Sequence, residues 1–151
     1  MSTQSAAPLA REDAPAVLAP AAVGTLERRF IEFLQTGSIP GGLFAEDVFI
    51  DMTIPQWRLQ ATGPDGVLDV RRGGHPSPGL VPRWRTDTTA RGFVIEVEET
   101  WTAEGQQWYC REMVRADVSD GVITELSVYC TGDWDAAQQA RHRQEVTLLR
   151  P

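Results

Sequence analysis

Two glutamates and a histidine are among the residues that could do chemistry in this chain. Glu99 and Glu112 interrupt the otherwise apolar faces of two alternating runs: Phe93, Ile95, Val97, Glu99 and Trp101 in one, and Cys110, Glu112, Val114 and Ala116 in the other. His75 lies in the segment GGHPSPG. Carboxyl groups held near one another in apolar surroundings have raised pKa values, so one stays protonated near neutral pH while its neighbour ionises. Such a pair supplies both an acid and a base, and a nearby imidazole can relay protons. The plainer alternative is that each carboxylate pairs with a buried arginine or reaches solvent at a rim, and that a loop histidine is simply solvated.

Whether the glutamates face inward depends on strand register. The turn Val118-Ser119-Asp120-Gly121-Val122 suits a three-residue hairpin loop with Gly121 left-handed. That predicts Ala116 opposite Thr124, Val114 opposite Leu126, Glu112 opposite Val128 and Cys110 opposite Cys130 on the drier, interior face. Tyr109, Arg111, Met113, Arg115, Glu125, Ser127 and Tyr129 fall on the other face, with Arg115 across from Glu125. For the preceding hairpin, a two-residue Glu104-Gly105 turn pairs Val97 with Glu112 and Glu99 with Cys110 inside, and Glu98 with Arg111 outside. A three-residue turn would set Glu96 against Glu112 in the interior, a like-charge pair with no cation, so the two-residue turn is expected. Val97, Trp101 and Val128 then line the interior as substrate-contacting residues.

The elements that carry these residues read as follows. Residues 1–20, rich in Ala and Pro, form a disordered tail because they offer too little apolar surface to offset ordering, and residues 21–151 form a single domain. Val23, Leu26, Phe30, Phe33 and Leu34 recur at helical spacing before Gly37. A first strand covers Val48 to Ile54, where Phe49, Asp51 and Thr53 alternate with Ile50, Met52 and Ile54 and neither face is clearly drier. A short helix capped by Asp65 follows, then a proline-rich loop, HPSPGLVP. Long strands occupy Arg91–Thr102, Gln106–Val118 and Val122–Thr131, and a helix with Asp133 or Asp135 in its first turn closes the chain. Helix, strand, short helix and successive antiparallel strands describe an α+β domain whose curved sheet wraps around helices. Of the five tryptophans, Trp57, just past Pro55 in a loop, is the lid candidate.

Composition removes several classes. The net charge of −7 and the scattering of 14 cations, all arginine, argue against nucleic acid as a partner. With no lysine, Schiff-base chemistry and the phosphate-loop lysine are excluded. No apolar run reaches the roughly 18 residues of a spanning helix, and Glu12 and Asp13 interrupt any signal-like stretch, so no membrane association and a cytoplasmic location are expected. In that compartment Cys110 and Cys130 are expected as two reduced thiols. No dinucleotide or phosphate-loop motif is present, and His75 and His142 share no paired-ligand spacing, so neither a cofactor nor a metal is expected.

The segments LFAEDVFIDMTIP, the helix start at Gly63 and the hairpin DVSDGVITELSVYCTGDWD, in this order, resemble the nuclear transport factor 2-like superfamily over roughly Leu26 to Arg143. That superfamily includes limonene-epoxide hydrolase, ketosteroid isomerase and the SnoaL-like polyketide cyclases. The resemblance implies a cone-shaped α+β barrel with an internal hydrophobic pocket. It also implies that Asp51 occupies the position of a water-holding Asn, pointing into the cone, and that Phe49 stands where those hydrolases place a Tyr. The chain departs from the hydrolase and cyclase patterns at Ile95, Val97 and Val128, where their charged residues fall. Together these readings predict an isomerase, cyclase or dehydratase that acts on an apolar, carbonyl-bearing metabolite such as a polyketide or terpenoid. Asp51, Glu112, Glu99 and His75 are the catalytic candidates, and Phe49, Trp57, Val97, Trp101 and Val128 bind substrate. The alternatives are a non-catalytic ligand-binding or dimerisation module, or an epoxide hydrolase with a rearranged site. The outer sheet face, with Tyr109, Met113 and Tyr129, is the expected homodimer interface.

Overall fold

The computed structural model describes residues 18–150. Of the tail expected over residues 1–20, residues 1–17 lie outside the described residues, and Pro20 already opens the first helix, α1 (Pro20–Thr36). Proline suits that first helical position, where its missing N–H has no intrahelical partner to lose. The helix ends at Gly37, whose φ of 65° lets its N–H donate to the Phe33 carbonyl at 2.9 Å. Val23, Leu26, Phe30, Phe33 and Leu34 form its buried face.

Six strands follow: β1 (Phe44–Ile54), β2 (Trp57–Thr62), β3 (Gly79–Thr88), β4 (Gly92–Ala103), β5 (Gln106–Ser119) and β6 (Val122–Cys130). Helix α2 (Gly63–Gly74) lies between β2 and β3, and α3 (Ala136–Glu145) closes the chain. The strands form one curved, unclosed sheet in the order β2-β1-β6-β5-β4-β3, antiparallel except where β1 runs parallel to β6. Packing of α1 and α2 against its inner face buries Phe30, Leu34, Val67, Ile95, Val114 and Leu126 in one core. No helix among the described residues is long and apolar enough to cross a membrane.

Two strands are absent from the sequence-based expectation, each at a sheet edge. β2 begins at Trp57, which pairs with Ile54 across a Pro55-Gln56 turn in which Gln56 takes a φ of 69°. Trp57 is therefore a strand residue, 69% exposed, and not a loop lid. β3 contains Pro82, and its pairing with β4 shifts between Leu80 and Arg83. Proline lacks a ladder donor and is tolerated at an edge or a bulge, the situation of Pro82, so the proline-rich segment is not wholly a loop. Edge strands exposed on both faces also need little apolar sequence, which leaves them without a clear alternation.

The β4–β5 hairpin has the expected two-residue turn, with Val97 opposite Glu112, Glu98 opposite Arg111 and Glu99 opposite Cys110. The β5–β6 hairpin differs. Its turn has two residues, Asp120 and Gly121, both left-handed, so Ser119 meets Val122. Thr124 is then extra, and beyond this bulge Val114 meets Val128 and Glu112 meets Cys130. A one-residue turn difference and a one-residue bulge together move the register by two, which changes partners yet preserves faces. Arg115 lies opposite Ser127 and still reaches Glu125 at 2.7 Å. On the outer face Met113 and Tyr129 are exposed, whereas Tyr109 exchanges backbone hydrogen bonds with Trp134 and lies beneath its ring.

Gly92 holds the start of β4 against β5, where an added Cβ would stand 1.9 Å from the Ala116 carbonyl oxygen. Gly92→Ala should therefore lower the free energy of unfolding by ~2 kcal/mol in urea denaturation.

Candidate functional site

The site is organised by the end of α2. Arg71 and His75 are four residues apart, so both project from the same side of that helix. His75 caps it, donating its backbone N–H to the Arg71 carbonyl at 2.9 Å, and Pro76 prevents the helix from continuing. Arg71 meets Glu99 of β4 in a bidentate pair, with Nη1 to Oε1 at 2.9 Å and Nη2 to Oε2 at 2.5 Å. Its Nη2 also donates to the Leu34 carbonyl of α1 at 2.6 Å. One guanidinium thereby joins both helices to the sheet.

His75 is buried against this pair. Its Nδ1 lies 3.7 Å from Glu99 Oε2, and its Nε2 lies 3.3 Å from Asp133 Oδ1 and 3.7 Å from Cys110 Sγ. The Trp101 ring covers it at a centroid distance of 3.9 Å. Burial works against the imidazolium, but the hydrogen bond to Asp133 and the nearby Glu99 carboxylate outweigh it and raise the His75 pKa to about 8. For Glu99, burial pushes the pKa up, and the contacts with His75 and Arg71 overcome it to hold the carboxylate below its usual range.

Glu112 is in the opposite condition. It is 6% exposed, and its Oε1 has no hydrogen-bond partner among the described residues. Burial, reinforced by the Glu99 charge, pushes its pKa well above the ordinary carboxyl value and so favours the neutral acid. It faces a cavity of about 40 Å³ whose apolar lining includes Phe30, Phe33, Met52, Val67, Val114 and Val128, with Arg71 and His75 at its polar end. Cys110 and Cys130 are free thiols beside it. Their mutual influence lowers the Cys130 pKa to about 7 and raises that of Cys110. The ligand-capable atoms of His75, Cys110 and Glu112 lie within 4.8 Å of one another, as do those of Cys110, Cys130 and Asp133.

No family model matches the chain, and no curated protein matches it. Solved structures do. A nuclear transport factor 2-like protein from Anabaena variabilis superposes with a TM-score of 0.62 at 15% identity, covering 75% of this chain and 89% of that one. A Xanthomonas campestris protein provisionally named a polyketide cyclase gives 0.58 at 19% identity, covering 72% and 90%. A Rhodopseudomonas palustris protein provisionally named an isomerase gives 0.58 at 14% identity, covering 81% and 97%. The chain has the nuclear transport factor 2-like fold.

Within this nuclear transport factor 2-like cone, the candidate residues separate. Glu99, Glu112 and His75 gather at one end of the cavity, Trp101 stacks on His75, Val128 lines the cavity, and Val97 is buried opposite Glu112. Asp51 and Phe49 do not point into the cone, contrary to expectation. Ile50 and Met52 face inward beside Leu126 and Val128, so strand alternation turns Phe49 and Asp51 outward. Asp51 instead receives a bidentate hydrogen bond from Arg58 of β2, which holds its pKa below the usual carboxylate value. Trp57 does not line the cavity. The sequence reading passed over Arg71 and Asp133. The i, i+4 spacing of Arg71 and His75 at a helix end was the available signal for the first.

Removing Arg71 strands a buried carboxylate. Arg71→Leu should lose ~3–5 kcal/mol of stability, and the double change with Glu99→Leu should recover much of that loss in urea denaturation. His75 gives a pH signature, with Glu99, Asp133, Arg71, Cys110 and Glu112 as the groups around it. Its folded pKa of about 8 stands above the ordinary 6.5. Its stabilising contribution is therefore complete below pH 6.5 and lost as pH rises through 8, an effect of about 2 kcal/mol. The parent minus His75→Asn difference in unfolding free energy should shrink by that amount between pH 6 and pH 9.

Proposed function

We propose that the chain is a small-molecule enzyme of the isomerase, cyclase or dehydratase kind that labilises a proton beside a carbonyl group. The observation that carries this reading is the Glu112 carboxyl: buried, without a partner for Oε1, and turned toward an apolar cavity. A buried polar atom left unpaired costs about 1–3 kcal/mol, which a ligand oxygen accepting a hydrogen bond there would return. The provisional cyclase and isomerase names of two structurally similar proteins support the same class. In the proposed step the substrate carbonyl oxygen accepts a hydrogen bond from the Glu112 hydroxyl. The adjacent C–H bond breaks, its proton passes to His75 in the neutral form that gains population as pH rises toward about 8, and the electron pair moves to the oxygen, which takes the Glu112 proton to give the enol and a Glu112 carboxylate. Return of the His75 proton to another carbon, or its transfer to a β-hydroxyl that departs as water, completes the reaction as Glu112 recovers its proton from the enol oxygen.

A cavity of about 40 Å³ limits what enters unaided. It holds roughly three waters, far below the ~300–1,000 Å³ of a typical ligand pocket. The carbonyl end of a substrate is thus the part that reaches Glu112, unless α1 and α2 separate from the sheet. The same volume favours a second reading, a non-catalytic binding module, and α-deuterium exchange separates the two. With a panel of enolisable ketones and β-hydroxyketones followed by NMR, exchange should exceed the buffer rate, and Glu112→Gln should reduce it by about 10²-fold or more. Exchange at the buffer rate for every ketone would reject catalysis. Glu112→Gln should also be more stable than the parent at pH 7, by a margin that vanishes toward pH 4, because the amide never has to be kept protonated.

The exposed Met113 and Tyr129, with Arg111 and Glu98 alternating beside them, support a homodimer through the outer face. Sedimentation should give a dimer at micromolar concentration, and Tyr129→Glu should give a monomer.

A further inference from the structure

We propose that His75, Cys110 and Glu112, with Cys130 and Asp133 at the open side, form a binding site for a thiolate-preferring divalent cation of the zinc class. Five residues from four places converge: the end of α2, two positions on β5, the end of β6, and the loop after it. In a tetrahedral zinc site, bonds of 2.0–2.3 Å place ligand atoms about 3.3–3.8 Å apart. Two of the separations already have that value, His75 Nε2 to Cys110 Sγ at 3.7 Å and His75 Nε2 to Asp133 Oδ1 at 3.3 Å. The remaining separations within each triad are no more than 4.8 Å, a contraction of about 1 Å that side-chain rotation can supply.

Two further observations point to a ligand at this place. Glu112 is more than nine-tenths buried, its Oε1 has no hydrogen-bond partner among the described residues, and a carboxylate oxygen lies within 4.8 Å of the ligand atoms of His75 and Cys110. Among the described residues no arginine is hydrogen-bonded to its carboxylate, whereas Glu99 has Arg71. The second is the orientation of His75. Nδ1 faces the Glu99 carboxylate, which Arg71 holds in place, so Nε2 is the nitrogen presented to Cys110 and Asp133. A carboxylate behind one nitrogen of a metal-binding histidine sets the tautomer and ring plane in the same way. The donor set selects the cation: thiolate and imidazole suit zinc and its neighbours, while magnesium and calcium demand oxygen.

Cation binding takes the place of protons on Cys110 and Glu112. Zinc should therefore suppress the proton transfer proposed above, a consequence that rests on that reading, whereas the site itself does not.

The test uses the full reduced chain, freed of metal by chelation. Zinc titrated against a chromophoric chelator should bind at one equivalent per chain with sub-micromolar affinity, and cobalt should give a thiolate-to-metal charge-transfer band with intense visible bands of tetrahedral type. Cys110→Ser should abolish the charge-transfer band or sharply weaken it. Glu112→Gln, which keeps the side-chain shape if the serine variant folds poorly, should weaken zinc binding about tenfold or more. No saturable zinc binding by the parent chain would overturn the proposal, as would equal affinity in the parent and Glu112→Gln. Absence of binding would leave α-deuterium exchange, measured in chelator, unchanged. Zinc binding without exchange would sink the acid–base reading alone.

Discussion

The pairing of Arg71 with Glu99 is the constraint on which the rest of this structure depends. Two charges taken into the interior are tolerated only where geometry and additional hydrogen bonds offset their lost hydration. Here the fork of the guanidinium meets both carboxylate oxygens, and its remaining donor capacity reaches the Leu34 carbonyl. The pair therefore ties α1, α2 and β4 together at one end of the cavity. It also makes Glu99 a fixed anion, and that anion governs the neighbouring groups: it holds His75 in one orientation and disfavours a second charge on Glu112.

Two glutamates on adjacent strands and on the same face of one sheet thus take opposite roles. Glu99 sits beside an arginine and a histidine and is ionised; Glu112 sits against the aliphatic lining of the cavity and is neutral. The difference comes from what each helix presents above the sheet, since the strands treat both residues alike. A neutral carboxyl acid with an anion-supported imidazole beside it is an arrangement suited to moving protons at a carbonyl compound. The thiols of Cys110 and Cys130 extend the same cluster toward softer chemistry.

The sheet keeps these inward groups separate from an outer face of different character. There Arg115 bridges to Glu125 and Ser127, and Arg111 lies beside Glu98. The bulge at Thr124 matters to this separation. Without it, the two-residue Asp120-Gly121 turn would reverse the facing of β6 relative to β5, so that Val128 and Cys130 would leave the interior. Strand alternation by itself is therefore not enough; the bulge restores what the turn displaced.

What could be read in the chain alone was the alternation of β4, β5 and β6, because a two-residue period between a dry face and a wet one is written directly into side-chain type. It placed Glu99 and Glu112 inside and Arg111, Met113 and Tyr129 outside, and the helical spacing of Val23 to Leu34 marked α1. The edge strands β2 and β3 left little trace, since neither has a dry face to enforce a period. β1 carries apolar residues on both faces, so the outward turn of Asp51 was decided by its neighbours Leu126 and Val128 and by Arg58. Tertiary structure alone brought Arg71 to Glu99 and Asp133 to His75. Those meetings join residues far apart in the chain, and their consequences, one carboxyl charged and another neutral, arise from local dielectric and neighbouring charge, which have no counterpart in the order of residues.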